Sequence, residues 1–99
     1  MSKKSPFMEA IDEIVAMHVK KSKDYGRDTD PFANVRASED FGIAGWIGCA
    51  IRMNDKMRRL QIASQGKELA NESIEDSFLD LAVYSIIGLC LLREQLGEA

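Results

Sequence analysis

From Ser73 to Gln95 the chain carries a stretch that leaves few folds open. Phe78, Leu79, Leu81, Ala82, Ile86, Leu89, Leu91 and Leu92, with Val83 and Ile87 on a further edge, cover far more of a helix circumference than one buried stripe requires. The most apolar part, Ser77 to Leu92, is too short to span a bilayer and carries Asp80. Such a helix is central to its fold or shared with another copy. With 99 residues there is room for one domain, 1–99, and only a modest core, so a homo-oligomer is expected.

The remaining periodicity is also helical. Ser5 followed by Pro6 is a helix start, and Phe7, Ile11, Ile14, Val15 and His18 recur at helical spacing. Lys20, Lys21 and Lys23 suit the carboxyl end of the dipole, with Gly26 as a left-handed stop. Ser38, Glu39 and Asp40 open a second helix that Gln65, Gly66 and Lys67 close. Asn71 or Ser73 caps a third, and Asp76 completes an acidic capping box with Ser73. No stretch alternates as a strand would. The expected class is all-α: three main helices at about 6–24, 38–64 and 72–95, with a long loop 25–37 of the kind that often carries function.

A net charge of −3 argues against a general nucleic-acid-coating role, although a local basic patch suffices for a small anion. Cys49 and Cys90 lie in apolar stretches without a CxxC, and read as reduced core thiols. The amino terminus lacks the apolar core of a signal peptide, so no membrane partner and a cytoplasmic location are expected.

A helical wheel divides the second helix sharply. Ile43, Trp46, Ile47, Ala50, Met53, Met57 and Leu60 share one face, expected to be core. The other carries Gly45 and Gly48, then Arg52, Lys56 and Arg59, with Asp55 at its edge. Each interior glycine costs about 1 kcal/mol relative to alanine, so Gly42, Gly45 and Gly48 imply close approach of a backbone or a ligand. Either the face is a packing surface with a solvated basic stripe, or it is a glycine-floored groove ending in phosphate-binding cations. On the third helix Glu72, Asp76 and Asp80 follow at i, i+4, i+8. Asp80, two turns in, needs either a cation such as Arg52 or Lys56, or a divalent metal.

The segments Lys23-Asp24-Tyr25-Gly26, Asp30-Pro31-Phe32-Ala33-Asn34-Val35-Arg36, Arg52-Met53-Asn54-Asp55-Lys56-Met57 and Asn71-Glu72-Ser73-Ile74-Glu75-Asp76 carry a resemblance, as does Asp80-Leu81-Ala82-Val83-Tyr84. Together they resemble small phage and prophage proteins grouped as nucleotide modification associated domain type 1. The resemblance implies a phage protein, in the host cytoplasm, that binds or acts on nucleotides. Carried residue by residue, it implicates Tyr25, Phe32, Asn34 and Arg36 in the loop, Arg52, Asp55, Lys56 and Arg59 in helix two, and Glu72, Asp76 and Asp80 in helix three. The layout is also similar to the MazG-type all-α nucleotide pyrophosphohydrolases, which hold Mg²⁺ between acidic helices. It differs in having Ser77 where their second motif places a glutamate.

The leading expectation is a nucleotide-binding protein, with hydrolysis as its enzymatic form. Arg36, Arg52, Lys56 and Arg59 would neutralise phosphates, while Tyr25, Phe32 and Asn34 would close over the base. Asp55, Asp76 and Asp80 would act in catalysis, with Mg²⁺ on Glu72, Asp76 and Asp80. The alternatives are a non-catalytic oligomer that sequesters a nucleotide signal as an anti-defence sponge, and a structural or regulatory helical module for protein partners.

Overall fold

The structure is a computed structural model that describes residues 4–25, 35–67 and 73–97, with side chains in the first segment as far as Lys20. The described residues form α1 (Pro6–Tyr25), a 3-10 helix (Val35–Phe41), α2 (Gly45–Ser64) and α3 (Ile74–Gln95), with no strand among them. The all-α expectation holds. The chain divides into two compact units, Met1–Asn34 and Val35–Ala99.

In the first unit, Ser5 caps α1 as anticipated. Its Oγ accepts the Met8 backbone N–H at 3.2 Å, its carbonyl accepts Glu9 N–H, and Pro6 takes the first helical position, where no N–H is needed. Lys4 reaches forward to pair with Asp12 across the first turns at 2.6 Å.

The second unit is an antiparallel pair, α2 against α3, with the 3-10 helix laid across the start of α2. Three juxtapositions give the register. Gly45 meets Leu91, Cys49 meets Gly88, and Lys56 meets Asp80, so eleven residues forward on α2 correspond to eleven back on α3. Ser73 caps α3, accepting Asp76 N–H at 3.0 Å while the Asp76 carboxylate accepts Ser73 N–H at 3.1 Å. This reciprocal box satisfies two of the donors that a helix start leaves open. Asn71, the other candidate cap, lies outside the described residues.

Two expectations about α2 are corrected. It begins at Gly45, not near Ser38, because Gly42 turns through a left-handed conformation at φ +76° that ends the preceding 3-10 segment. Ser38 lies within that segment, where its carbonyl accepts Ile43 N–H and its Oγ donates to Ala44 O. The second correction concerns which face is inside. The glycine face of α2 packs inward, whereas Ile43, Trp46, Ile47, Ala50 and Met57 from the expected core face are exposed.

Glycine explains this choice. A Cβ at Gly48 would lie 2.6 Å from Ser38 Oγ, and one at Gly45 would lie 3.0 Å from Leu91 Cδ1. Backbone-close packing therefore occupies the face that sequence offered as a ligand groove, which is the packing alternative. Across the interface Gly88 admits the Cys49 Cβ at 3.4 Å from its own would-be Cβ. Among the described residues Cys49 and Leu91 are the buried apolar ones, and Ser77, near the start of α3, is fully buried as well. Cys90, expected to be a core thiol, is only half-buried. No helix among the described residues is long and apolar enough to cross a membrane.

Candidate functional site

Arg52, Lys56 and Arg59 follow one another at i, i+4, i+7, so they form one edge of α2. α3 is held antiparallel at helix-packing distance, and the first buried turn beyond its cap carries Asp80. The two charged edges therefore meet. Lys56 Nζ lies 2.9 Å from Asp80 Oδ2, with side chains 19% and 21% exposed. Of the alternatives for Asp80, the structure thus has the cation from helix two. Arg59 is half-buried and engaged with the protein, and Arg52 is exposed one turn before Lys56. The Arg52 charge is felt at Cys49. Burial raises the Cys49 thiol above its ordinary value of 9.0, and Arg52 partly opposes that rise.

Arg36 is placed elsewhere. It lies in the 3-10 helix, where its guanidinium donates to both Glu94 oxygens at 2.9 and 2.8 Å and sits 3.6 Å from Glu39. This fork ties the 3-10 segment to the end of α3. The hydrogen bonds from Arg36 hold Glu94 below the usual 4.5, against a weaker opposing effect of desolvation. Arg36, Glu39, Gly45, Leu91 and Glu94 line an open cavity of about 280 Å³. Gly45 precedes Lys56 by eleven residues, about 16 Å of helix, so Arg36 and the α2 cations do not share one phosphate pocket. A second groove, also about 280 Å³, runs between α2 and α3 and is apolar, with Trp46, Ala50, Met53, Tyr84, Gly88 and Leu89 on its walls.

The acidic candidates separate as well. Asp76 is occupied at the α3 cap, and Asp55 is exposed about 100° around α2 from Lys56. Among the described residues no three His, Cys, Asp or Glu side chains converge as a metal site would need. A Mg²⁺ ion on Asp76 and Asp80 would have to displace the Ser73 N–H from one carboxylate and Lys56 from the other. Phe32, Asn34, Glu72 and Gly26 lie outside the described residues, as does the side chain of Tyr25.

The profile of one family, described as nucleotide modification associated domain 1, matches residues 37–92, more than half of the chain. The chain belongs to this family. The matched span takes in α2, the Lys56–Asp80 pair and α3 as far as Leu92, while α1 lies before it. Comparison with curated proteins and with solved structures finds no match. Membership in the nucleotide modification associated domain 1 family associates the paired helices with nucleotides, the coarse functional statement that sequence supported.

Sequence reasoning missed the partners Glu39 and Glu94 of Arg36, and the apolar groove. Gly88 was the available signal for the groove. A glycine inside an otherwise apolar helix marks a close approach, here that of Cys49.

Proposed function

We propose that the protein binds a small phosphorylated nucleotide, with its phosphates on the Arg52–Lys56–Arg59 edge of α2. The carrying observation is the Lys56–Asp80 ion pair within a row of cations. A phosphate competes with a carboxylate for the same ammonium and brings more negative charge to neighbouring arginines, which favour oxyanions with forked geometry. The family association supports the nucleotide as the source of that phosphate. The reading rests on the α2 cations alone, since Arg36 is set apart by its carboxylate clamp.

Binding without hydrolysis is favoured by the present engagement of Asp76 in the α3 cap and of Asp80 with Lys56. It fits a phage protein that sequesters a nucleotide signal. Mg²⁺-dependent hydrolysis is the second reading, in which Glu72, Asp76 and Asp80 hold the ion.

Calorimetry and thermal shift with nucleoside mono-, di- and triphosphates and cyclic dinucleotides, in Mg²⁺ and in EDTA, test the proposal. We expect a melting-temperature rise with one class of nucleotide and at least about tenfold weaker binding in Arg52→Glu, an exposed substitution. Intact recovered ligand and EDTA-resistant binding favour sequestration. Released phosphate or pyrophosphate only in Mg²⁺ favours hydrolysis. A protein that no nucleotide stabilises would overturn both and leave the protein-partner reading.

A further inference from the structure

The surface of α3 turned away from α2 has a pattern of its own. Ser77, Gly88 and Leu91 face α2 and the interior, and the opposite side presents Phe78, Ala82 and Ile86, with Leu89 at its border, where it also walls the α2–α3 groove. Phe78, Ile86 and Leu89 are 60%, 53% and 45% exposed. Their spacing of four, four and three keeps them on one stripe, about three turns long and without a charge. A charge closes each end. Glu75 and Arg93 are both exposed and lie eighteen residues apart, which is five full turns, so they fall on the same line of the helix.

This arrangement is self-complementary in one orientation only. About the level of residue 84, Glu75 and Arg93 are equidistant, and so are Ala82 and Ile86. If one α3 lies antiparallel on another with its two-fold axis at that level, Glu75 of each copy faces Arg93 of the other. Ala82 then receives Ile86, a small residue opposite a large one, and Leu89 meets Leu79. A parallel pairing would instead set Glu75 against Glu75 and Arg93 against Arg93. The two-fold arrangement is the isologous kind, in which one patch serves both subunits.

We propose that two copies of this chain associate along these outer faces of α3, antiparallel, with reciprocal Glu75–Arg93 ion pairs at the rims. The occupant follows from charge: the surface with an apolar stripe of this length and inverted charges at its ends is the same stripe turned through 180°. The interface leaves Arg52, Lys56 and Arg59 outside it, so it stands apart from the nucleotide proposal.

Sedimentation equilibrium on the full chain, with circular dichroism to verify folding, tests this. Wild type should weigh twice 11.1 kDa at micromolar concentration. Ile86→Lys, at a half-exposed position, should keep helicity and weaken association by at least about a hundredfold, since the charge would be desolvated in the interface. Glu75→Arg and Arg93→Glu should each weaken it by about three- to tenfold, and the double exchange should restore wild-type affinity. A monomeric wild type overturns the proposal. So does a dimer indifferent to Ile86→Lys, or a double exchange that fails to rescue. A monomer that Ile86→Lys unfolds would also overturn it, by showing that another part of the same chain covers the face.

Discussion

Lys56 and Asp80 join the middle of α2 to the second turn of α3 through a contact of 2.9 Å, with about four-fifths of each side chain out of water. At this depth the attraction is screened less than at a surface, but each ion has also lost hydration. Removing one partner is then worse than removing both. Lys56→Met or Asp80→Asn should lower stability by about 1–3 kcal/mol each, and the double variant should lose less than the two together. Urea unfolding of the four proteins measures that coupling.

The same residue separates the two functional readings. If Asp80 competes with phosphate for Lys56, Asp80→Asn should strengthen nucleotide binding by several-fold, roughly 1 kcal/mol. If Asp80 holds Mg²⁺ for hydrolysis, Asp80→Asn should abolish turnover and weaken binding in Mg²⁺. Calorimetry of wild type and Asp80→Asn, with and without the metal, gives opposite signs.

Asp76 allows a comparable test at the α3 cap. The Ser73 box satisfies backbone donors in both directions, so Ser73→Ala and Asp76→Ala should each cost about 1 kcal/mol. Their effects should not add, because either substitution breaks the reciprocal arrangement. Thermal melts of the two single variants and the double check this.

The helices and their caps were legible in the sequence wherever a local device set them. Ser5 with Pro6 and Ser73 with Asp76 announce starts through groups that act within one turn. The beginning of α2 was not legible. Gly42 fits a glycine repeat of three as readily as it fits a left-handed turn, and periodicity does not register the sign of φ. The wheel separated the two faces of α2 correctly but assigned the interior to the wrong one. Hydrophobicity ranked Trp46 and Met57 above Gly45 and Gly48, whereas close packing depends on how near a backbone can come. Lys56 can join the inward face because its stem is apolar and Asp80 meets its charge. Arg36 as a clamp for Glu94 was hidden by a separation of 58 positions along the chain.

That account of Gly48 is itself testable. Alanine is a better helix former by about 1 kcal/mol, so Gly48→Ala on an open face would stabilise. Here the added methyl would lie 2.6 Å from Ser38 Oγ, 3.0 Å from Ser38 Cβ and 3.3 Å from the Val35 carbonyl. The 3-10 segment would have to lift, and a net loss of about 1–2 kcal/mol is expected. Ser38→Gly removes the obstructing side chain, so the double variant should recover part of that loss. Chemical denaturation of the set checks the sign.

Arg36 and Glu94 predict a pH dependence whose direction follows from the carboxylate. Hydrogen bonds from Arg36 hold Glu94 below its ordinary 4.5 in the folded chain, so folding favours the ionised form. The stabilisation is fully present above 4.5 and is lost as pH falls through the depressed folded value, where Glu94 takes up a proton and no longer accepts both guanidinium bonds. Glu94→Gln keeps the size but not the charge. Its melting temperature should therefore lie below that of wild type at neutral pH, and the gap should close in acid below 4.5. Melts of both proteins across that range measure the gap. A constant difference down to the lowest pH would mean that the link from the 3-10 segment to α3 depends on shape, with charge contributing nothing.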